Sequence, residues 1–334
     1  MSKHIYKKAL ALCCVLSSLG VVSCGNSNSN NDKPNNNEPN NNEEDKTPID
    51  YGTISVPDMI LYEGFDGIKI NPIFSNPEAC ANEVFYFEPE DNCCVVDDEG
   101  RVYYVTNGKT KINYESEHLN GSFEVTCMKL ENTEFKSKAK SYINSFKNDG
   151  MPTGSTLFLG DSFFEFWKNK TGIEKGFYEE FADYNVRNIG ISATQTKHWR
   201  AYQNSLVRPM EPKNVVINIG INDIDDSGYV GERAARNIQT YIRDIHEDFP
   251  DAKIYWFTLT RCSGVFANKW GEYKICNKKM MEFATKNDYL TVLDIASEYG
   301  DNYASYQQDG LHPNQKGYDL FKKMILDNVS LEKK

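Results

Sequence analysis

The chain has 334 residues, with 37 Lys and Arg against 48 Asp and Glu, a formal net charge of −11 and 40% hydrophobic residues. At roughly 100 to 200 residues per domain this length predicts about two domains, and the apolar and aromatic content excludes wholesale disorder. An acidic balance with no basic block argues against nucleic acid as a partner, because phosphate binding draws its affinity from Lys and Arg that displace counterions.

At the N-terminus, Lys3, Lys7 and Lys8 precede an apolar run from Ala9 to Val22, followed by Ser23 and Cys24. A run of about 14 residues cannot cross a bilayer core, which takes about 20 in helical form. Residues 1–23 are therefore expected to be a signal peptide. Small and aliphatic residues directly before Cys24 resemble the lipobox of bacterial lipoproteins, in which the Cys is lipidated and becomes the first residue of the mature chain. The resemblance implies an exported protein held to a bacterial membrane, at the cell surface or in the periplasm, by a lipid on Cys24. Cleavage takes away three Lys and no acid, so the charge of −11 becomes −14. Cys13 and Cys14 leave with the signal, and Cys80, Cys93, Cys94, Cys127, Cys262 and Cys276 remain. In an oxidising compartment these are core or disulfide residues with open connectivity, except that the adjacent Cys93 and Cys94 are poorly placed to bond each other. No C-x-x-C or His-rich spacing points to a metal, and no cofactor is expected.

Residues 24–50 contain ten Asn with Ser, Pro, Glu and Asp and almost nothing apolar. Such a tract cannot bury enough surface to offset its chain entropy and is expected to be a disordered tether. As a coil it would hold the folded part about 25 to 30 Å from the lipid.

Over residues 51–131 the pattern changes to short alternating or β-branched runs, among them Thr53–Val56, Ile68–Ile70, Val84–Phe87, Val95–Val96, Arg101–Val105, Lys111–Tyr114 and Phe123–Cys127. About seven segments near ten-residue spacing predict a small all-β sandwich. The turn Asp97-Asp98-Glu99-Gly100 and the later Asn107-Gly108-Lys109 resemble the second half of a bacterial Ig-like domain of the intimin/invasin type. That resemblance implies a spacer, or alternatively a glycan-binding or adhesive module.

A polar connector, helical in pattern, is expected over residues 132–150. From residue 151 the period changes again: Thr156–Leu159, Val215–Ile219, Ile254–Phe257 and Leu290–Leu293 read as buried strands, with helical patterns near Tyr202–Val207, Gly231–Phe249, Tyr273–Lys286 and Gln315–Asn328 between or after them. Strand and helix in alternation predict a three-layer α/β/α domain around a central parallel sheet. In open sheets of this kind the site lies at the carboxyl ends of the strands.

The segments just past the strands carry chemistry: Gly160-Asp161-Ser162, then Asn188-Ile189-Gly190-Ile191-Ser192-Ala193, Gly220-Ile221-Asn222-Asp223, and finally Asp309-Gly310-Leu311-His312-Pro313. In this order the four resemble blocks one, two, three and five of the SGNH hydrolases, the GDSL esterase/lipase family, over residues 151–334. A Ser hydroxyl needs an imidazole to take its proton, and the imidazole needs a third group to fix its tautomer. Ser162, His312 and Asp309 fit these roles, and a tight turn between Asp309 and His312 can deliver base and orienter from one loop. The resemblance implies oxyanion donors at the backbone N–H of Ser162, the backbone N–H of Gly190 and the side-chain amide of Asn222. Asp161 and Gly160 read as turn residues and Asp223 as a loop-organising carboxylate. His118 and His246 read as structural, whereas His198, beside Trp199 and Arg200, is a candidate for the substrate rim. Of the aromatics after Ser162, Phe163 is expected to lie nearest the pocket and the rest to be core.

The family cleaves acetyl groups from glycans, acyl chains from phospholipids, and thioesters. With no long apolar insertion to act as a lid, the expected function is that of a surface carboxylic ester hydrolase removing O-acetyl groups from carbohydrates through an acyl-enzyme on Ser162. A lysophospholipase or short-chain lipid esterase is the alternative enzyme, and a non-catalytic surface adhesin the alternative of another class.

Overall fold

The computed structural model describes residues 9–11, 48–64, 67–131, 133–149, 153–225 and 228–334. The expected lipidation site Cys24 and nearly all of the tether lie outside the described residues, as does the expected signal peptide apart from Ala9–Ala11. The chain divides into two compact units, one within Met1–Leu61 and Gly67–Cys127 and the other within Tyr62–Asp66 and Met128–Lys334.

The first unit is β-rich. Its strands are β1 (Ala9–Ala11), β2 (Ile54–Ser55), β3 (Met59–Tyr62), β4 (Ile68–Lys69), β5 (Ile73–Phe74), β6 (Val84–Pro89), β7 (Cys94–Val96), β8 (Arg101–Tyr104), β9 (Gly108–Glu115) and β10 (Asn120–Met128), the last residues of β3 and β10 falling in the second unit. They pair as a five-stranded sheet in the order β1-β6-β9-β10-β3, a three-stranded sheet β4-β8-β7 and a two-stranded sheet β2-β5. The long antiparallel pair β9 and β10 shows why: Thr110, Ile112 and Tyr114 on one strand and Phe123, Val125 and Cys127 on the other are buried, while Lys109, Lys111 and Glu124 face solvent. This period of two is the signature of a sheet with one covered face. Met59–Tyr62 and Ile73–Phe74 are strands that alternation does not reveal, the first because it is apolar throughout and the second because it is only two residues long. Cys93, Cys94, Cys127, Cys262 and Cys276 are buried free thiols, and Cys80 is buried as well.

The second unit is an α/β domain built on five parallel strands, β11 (Thr156–Gly160), β12 (Val186–Asn188), β13 (Asn214–Asn218), β14 (Lys253–Phe257) and β15 (Leu290–Leu293), in the order β12-β11-β13-β14-β15. The central strands β11 and β13 are buried at every residue, which is why Leu157–Leu159 and Val215–Ile217 within them show no polar alternation. Helices cover the sheet: α2 (Ser162–Asn169), α3 (Phe177–Glu180), α4 (Thr196–Ala201), α5 (Ile221–Asp225), α6 (Gly231–Asp248), α7 (Trp270–Ala284), α8 (Ile295–Tyr299) and α9 (Gln315–Asn328). The parallel α/β architecture expected from the sequence is the one observed. The strand order reverses between β11 and β13, and the crevice at such a reversal is where ligands bind in open α/β sheets.

One boundary differs from the expectation. The segment expected to be a polar connector forms helix α1 (Thr133–Asp149), which belongs to the α/β unit and buries Phe135, Ala139 and Phe146 in its core. These residues, with Tyr142 packed beside them, recur at spacings of four, three and four and so make one apolar stripe on an otherwise charged helix.

Candidate active site

β11 ends at Gly160 and α2 begins at Ser162, so the turn between them aims the Ser162 side chain out of the carboxyl end of the sheet. Asp161 shapes that turn. Its carboxylate accepts the Phe163 N–H at 3.0 Å as the helix cap, and its own N–H donates to the Asn218 carbonyl at 3.1 Å. A Cβ on Gly160 would lie 2.3 Å from that same carbonyl oxygen, so only glycine lets β11 run this close to β13 where the chain turns.

The loop before α9 brings base and orienter to this hydroxyl. His312 Nε2 lies 2.8 Å from Ser162 Oγ, and His312 Nδ1 lies 2.6 Å from Asp309 Oδ2. The other carboxylate oxygen of Asp309 accepts the backbone N–H groups of Leu311 at 3.0 Å and His312 at 2.7 Å, closing the turn on itself. Gly310 takes the left-handed φ of 83° that the turn requires, and its carbonyl is tied to the Ser263 N–H at 2.8 Å. Burial pushes the Asp309 carboxyl up, but the hydrogen bonds from the His312 ring and from the His312 and Leu311 N–H groups outweigh it and hold Asp309 below the ordinary carboxylate range. Asp309 is therefore an anion at neutral pH and fixes a proton on His312 Nδ1, leaving Nε2 as an acceptor for the Ser162 hydroxyl. The side chain of Phe166 stacks on the imidazole, with centroids 4.1 Å apart, whereas Phe163 is 5.7 Å away, tilted and buried. The aromatic in closest ring contact with the site is thus Phe166, one helical turn beyond the residue expected.

The groups expected to donate to an oxyanion differ in how they are bonded. Asn222, at the start of α5, is half-buried and donates one amide hydrogen to the Thr194 carbonyl at 2.9 Å, which fixes the amide plane and leaves a second hydrogen. Gly190 does not offer a donor: its N–H is held by Asn188 Oδ1 at 2.9 Å, an Asx-type bond two residues back. Its lack of a side chain serves packing instead, since a Cβ there would meet Phe164 Cβ at 2.6 Å and Glu165 N at 2.8 Å. Three residues later, Ala193 is exposed and adopts a left-handed φ of 56°. Its N–H has no hydrogen-bond partner among the described residues. Thr194 Oγ1 bonds the Gly160 carbonyl at 3.2 Å and the Ile191 carbonyl at 2.9 Å, so this bend is pinned between the Ser162 turn and Asn222. A non-glycine residue in this region costs about 1 to 2 kcal/mol, and such strain gathers at ligand sites. No residue type in the sequence marks Ala193 for this position.

His198 is not at a rim. It is buried, its Nδ1 accepts the Gln195 N–H at 2.9 Å, and burial, aided by the neighbouring Lys197 charge, pushes its pKa down to about 4. His118 bonds the Glu83 carboxylate at 2.7 Å and stacks on Tyr51, and His246 stacks on Tyr289.

Asp223 is buried and accepts the Thr196 N–H at 3.0 Å and the Thr196 hydroxyl at 3.2 Å, so it ties α5 to the start of α4. Burial raises its pKa to about 7 against these bonds. A carboxyl whose folded pKa lies above its unfolded value stabilises the fold below about pH 4 and loses that contribution as pH rises to about 7. Asp223→Asn, which keeps an acceptor for Thr196, is accordingly expected to gain thermal stability over the parent steadily across this interval. Equal slopes of melting temperature against pH in the two proteins would contradict the assignment.

Residues 158–320 match the model of the GDSL-like lipase/acylhydrolase family. No curated protein sequence matches the chain significantly. Among solved structures the chain is similar to a GDSL-like lipase from Bacteroides thetaiotaomicron, with 21% identity and a TM-score of 0.49 over 58% of this chain and 97% of that one. It is similar also to a lipase/acylhydrolase from Enterococcus faecalis, with 22% identity and a TM-score of 0.41 over 54% and 98%. A third is a mutant of an acetyl-xylooligosaccharide esterase from a Geobacillus, with 16% identity and a TM-score of 0.42 over 55% and 98%.

Proposed function

We propose that the GDSL-like domain of this chain is a serine esterase that works through an acyl-enzyme on Ser162 and removes short acyl groups, above all O-acetyl groups on carbohydrates. The observation that carries this reading is the continuous relay from Ser162 Oγ through the His312 ring to Asp309, with links of 2.8 and 2.6 Å. His312 Nε2 takes the hydroxyl proton as Oγ attacks the ester carbonyl carbon. The tetrahedral oxyanion is held by the Ser162 N–H, the free amide hydrogen of Asn222 and the N–H of Ala193, the last in place of Gly190. The protonated His312 then gives its proton to the leaving alcohol, and water activated by the same nitrogen releases the acid and restores Ser162.

The openness of the site supports a small, polar substrate. The Asp309 side chain is 48% exposed. Among the exposed large apolar side chains of the described residues, none belongs to the loops that carry Ser162, Ala193, Asn222 or His312. A surface that bound a long acyl chain would need such a patch, at about 0.8 kcal/mol for each methylene it covers. Initial rates on p-nitrophenyl esters from acetyl to dodecanoyl, run beside an acetylated oligosaccharide, test the substrate class. Activity should be highest on acetyl and fall with length. A rate that climbs with chain length would overturn the deacetylase reading in favour of a lipid esterase, and absence of turnover on every ester would favour a binding module.

A further inference from the structure

We propose that helix α1, which precedes the family-matched region, is a working part of the esterase: Lys138 and Tyr142 act as positioning residues that hold the loop 188–194 in the shape presenting its oxyanion donor. This rests on the reading of Ser162 as the nucleophile.

Two ties run from α1 to the loop. In the first, Lys138 Nζ pairs with the Glu165 carboxylate, 2.9 Å from Oε1 and 3.0 Å from Oε2, and is steadied by Glu134 at 2.9 Å. Glu165 in turn accepts the backbone N–H of Ser192 at 2.6 Å, the residue directly before Ala193. In the second, the Tyr142 hydroxyl and the Lys168 ammonium bond each other, and both reach the Gly190 carbonyl, at 3.5 and 2.8 Å.

Other groups of the loop are tied to the sheet, to α2 and, through Tyr178, to α3. Ile189 N–H donates to the Phe158 carbonyl and Ile191 N–H to the Gly160 carbonyl, both at 2.9 Å, and the Asn188 amide donates to the Phe164 carbonyl at 3.0 Å. The peptides leading up to Ala193 are thus over-determined, which is the condition under which a strained left-handed residue persists. Glu165 shows the strength of the tie. Burial would raise its pKa, yet the bonds from Ser192 and Lys138 hold it below the ordinary carboxylate range.

Lys168 makes the device sensitive to alkali. Burial pushes its pKa down to about 8. The groups that face it are Glu165 on its own helix, Lys138 and Tyr142 on α1 and Arg187 on β12, with Tyr178 on α3 bonded to Asn188 of the same loop. A neutral amine is a weaker donor to the Gly190 carbonyl than an ammonium ion.

The experiment compares Lys138→Met, Tyr142→Phe and Lys168→Met with the exposed Lys140→Met on the same helix, using p-nitrophenyl acetate and thermal melts. Tyr142→Phe removes one oxygen and Lys138→Arg keeps the charge, so these two remain informative if Lys138→Met folds poorly. The expected result is a fall in kcat of about tenfold to a hundredfold at nearly constant KM, the scale set by a small displacement of a preorganised group. Lys138→Arg should recover most of the rate, Lys140→Met should match the parent, and an alkaline limb near pH 8 in the parent kcat should vanish in Lys168→Met. Parent kcat in Tyr142→Phe and Lys138→Met, or changes confined to melting temperature, would overturn the proposal, as would a limb that survives in Lys168→Met. Those outcomes alongside an inactive Ser162→Ala variant refute α1 alone, whereas turnover at the parent rate in Ser162→Ala refutes the reading on which it rests.

Discussion

Ser162→Ala is expected to lower kcat for p-nitrophenyl acetate by about six orders of magnitude, the loss found when a serine hydrolase is deprived of its nucleophile. The hydroxyl is the atom on which the rest of the site converges. His312 Nε2 is bonded to Ser162 Oγ, and the Asp309 carboxylate uses both oxygens on His312 and its turn. Without Oγ, the donors around the oxyanion can still polarise a carbonyl for attack by water, so a residual rate about 10³ to 10⁴ above that in water alone should remain. The melting temperature should change little, because one partly exposed hydroxyl is lost and the Asp161 cap and the helix behind it stay intact. Initial rates at high enzyme concentration measure the effect, and a variant within tenfold of the parent would remove Ser162 from the mechanism.

Asp309→Asn should cost about 10³ to 10⁴ in kcat, the second largest effect. Asp309 uses one oxygen for the two backbone N–H groups of its turn and the other for the imidazole. An amide has one acceptor and one donor end, so it can keep the turn only by presenting its NH₂ to His312 Nδ1. That choice protonates Nε2 and turns the base away from the Ser162 hydroxyl. The loss is expected near the lower end of the range, because the exposed side of Asp309 lets water carry part of the charge stabilisation. It should appear in kcat with KM nearly constant. A variant that retains a tenth or more of the parent rate would show that His312 is oriented by something other than Asp309.

Much of the α/β unit is legible in the sequence because its strands are buried on both faces. Val215–Ile217 and Ile254–Phe257 carry that burial as apolar runs, and the chemistry-bearing residues of the third block come shortly after the first of them. Asp309 and His312 are legible for a related reason, since both sit on one turn and their spacing alone allows the bond. What the sequence conceals depends on a side chain choosing between local partners. Asn188 could equally have faced solvent, but its Oδ1 takes the Gly190 N–H, while Ala193 three residues on keeps an N–H with no hydrogen-bond partner among the described residues. An alanine in left-handed geometry has no compositional mark. Helix α1 is a different case: the stripe of Phe135, Ala139, Tyr142 and Phe146 is present in the sequence, but the charged residues between its members give the segment the composition of a solvated connector. Which aromatic stacks on His312 is set by the rotation of α2 about its axis, and spacing within the segment from Phe163 to Trp167 does not give that rotation.

The central claim is that acyl transfer passes through Ser162. Mass spectrometry of the protein quenched during turnover of p-nitrophenyl acetate, with peptide mapping of the adduct, tests it most directly. One acetyl group per chain on the peptide that contains Ser162, absent in Ser162→Ala and longer-lived in Asp309→Asn, is the predicted result. Sustained hydrolysis with no acyl group on that peptide, or with the acyl group on another side chain, would contradict it.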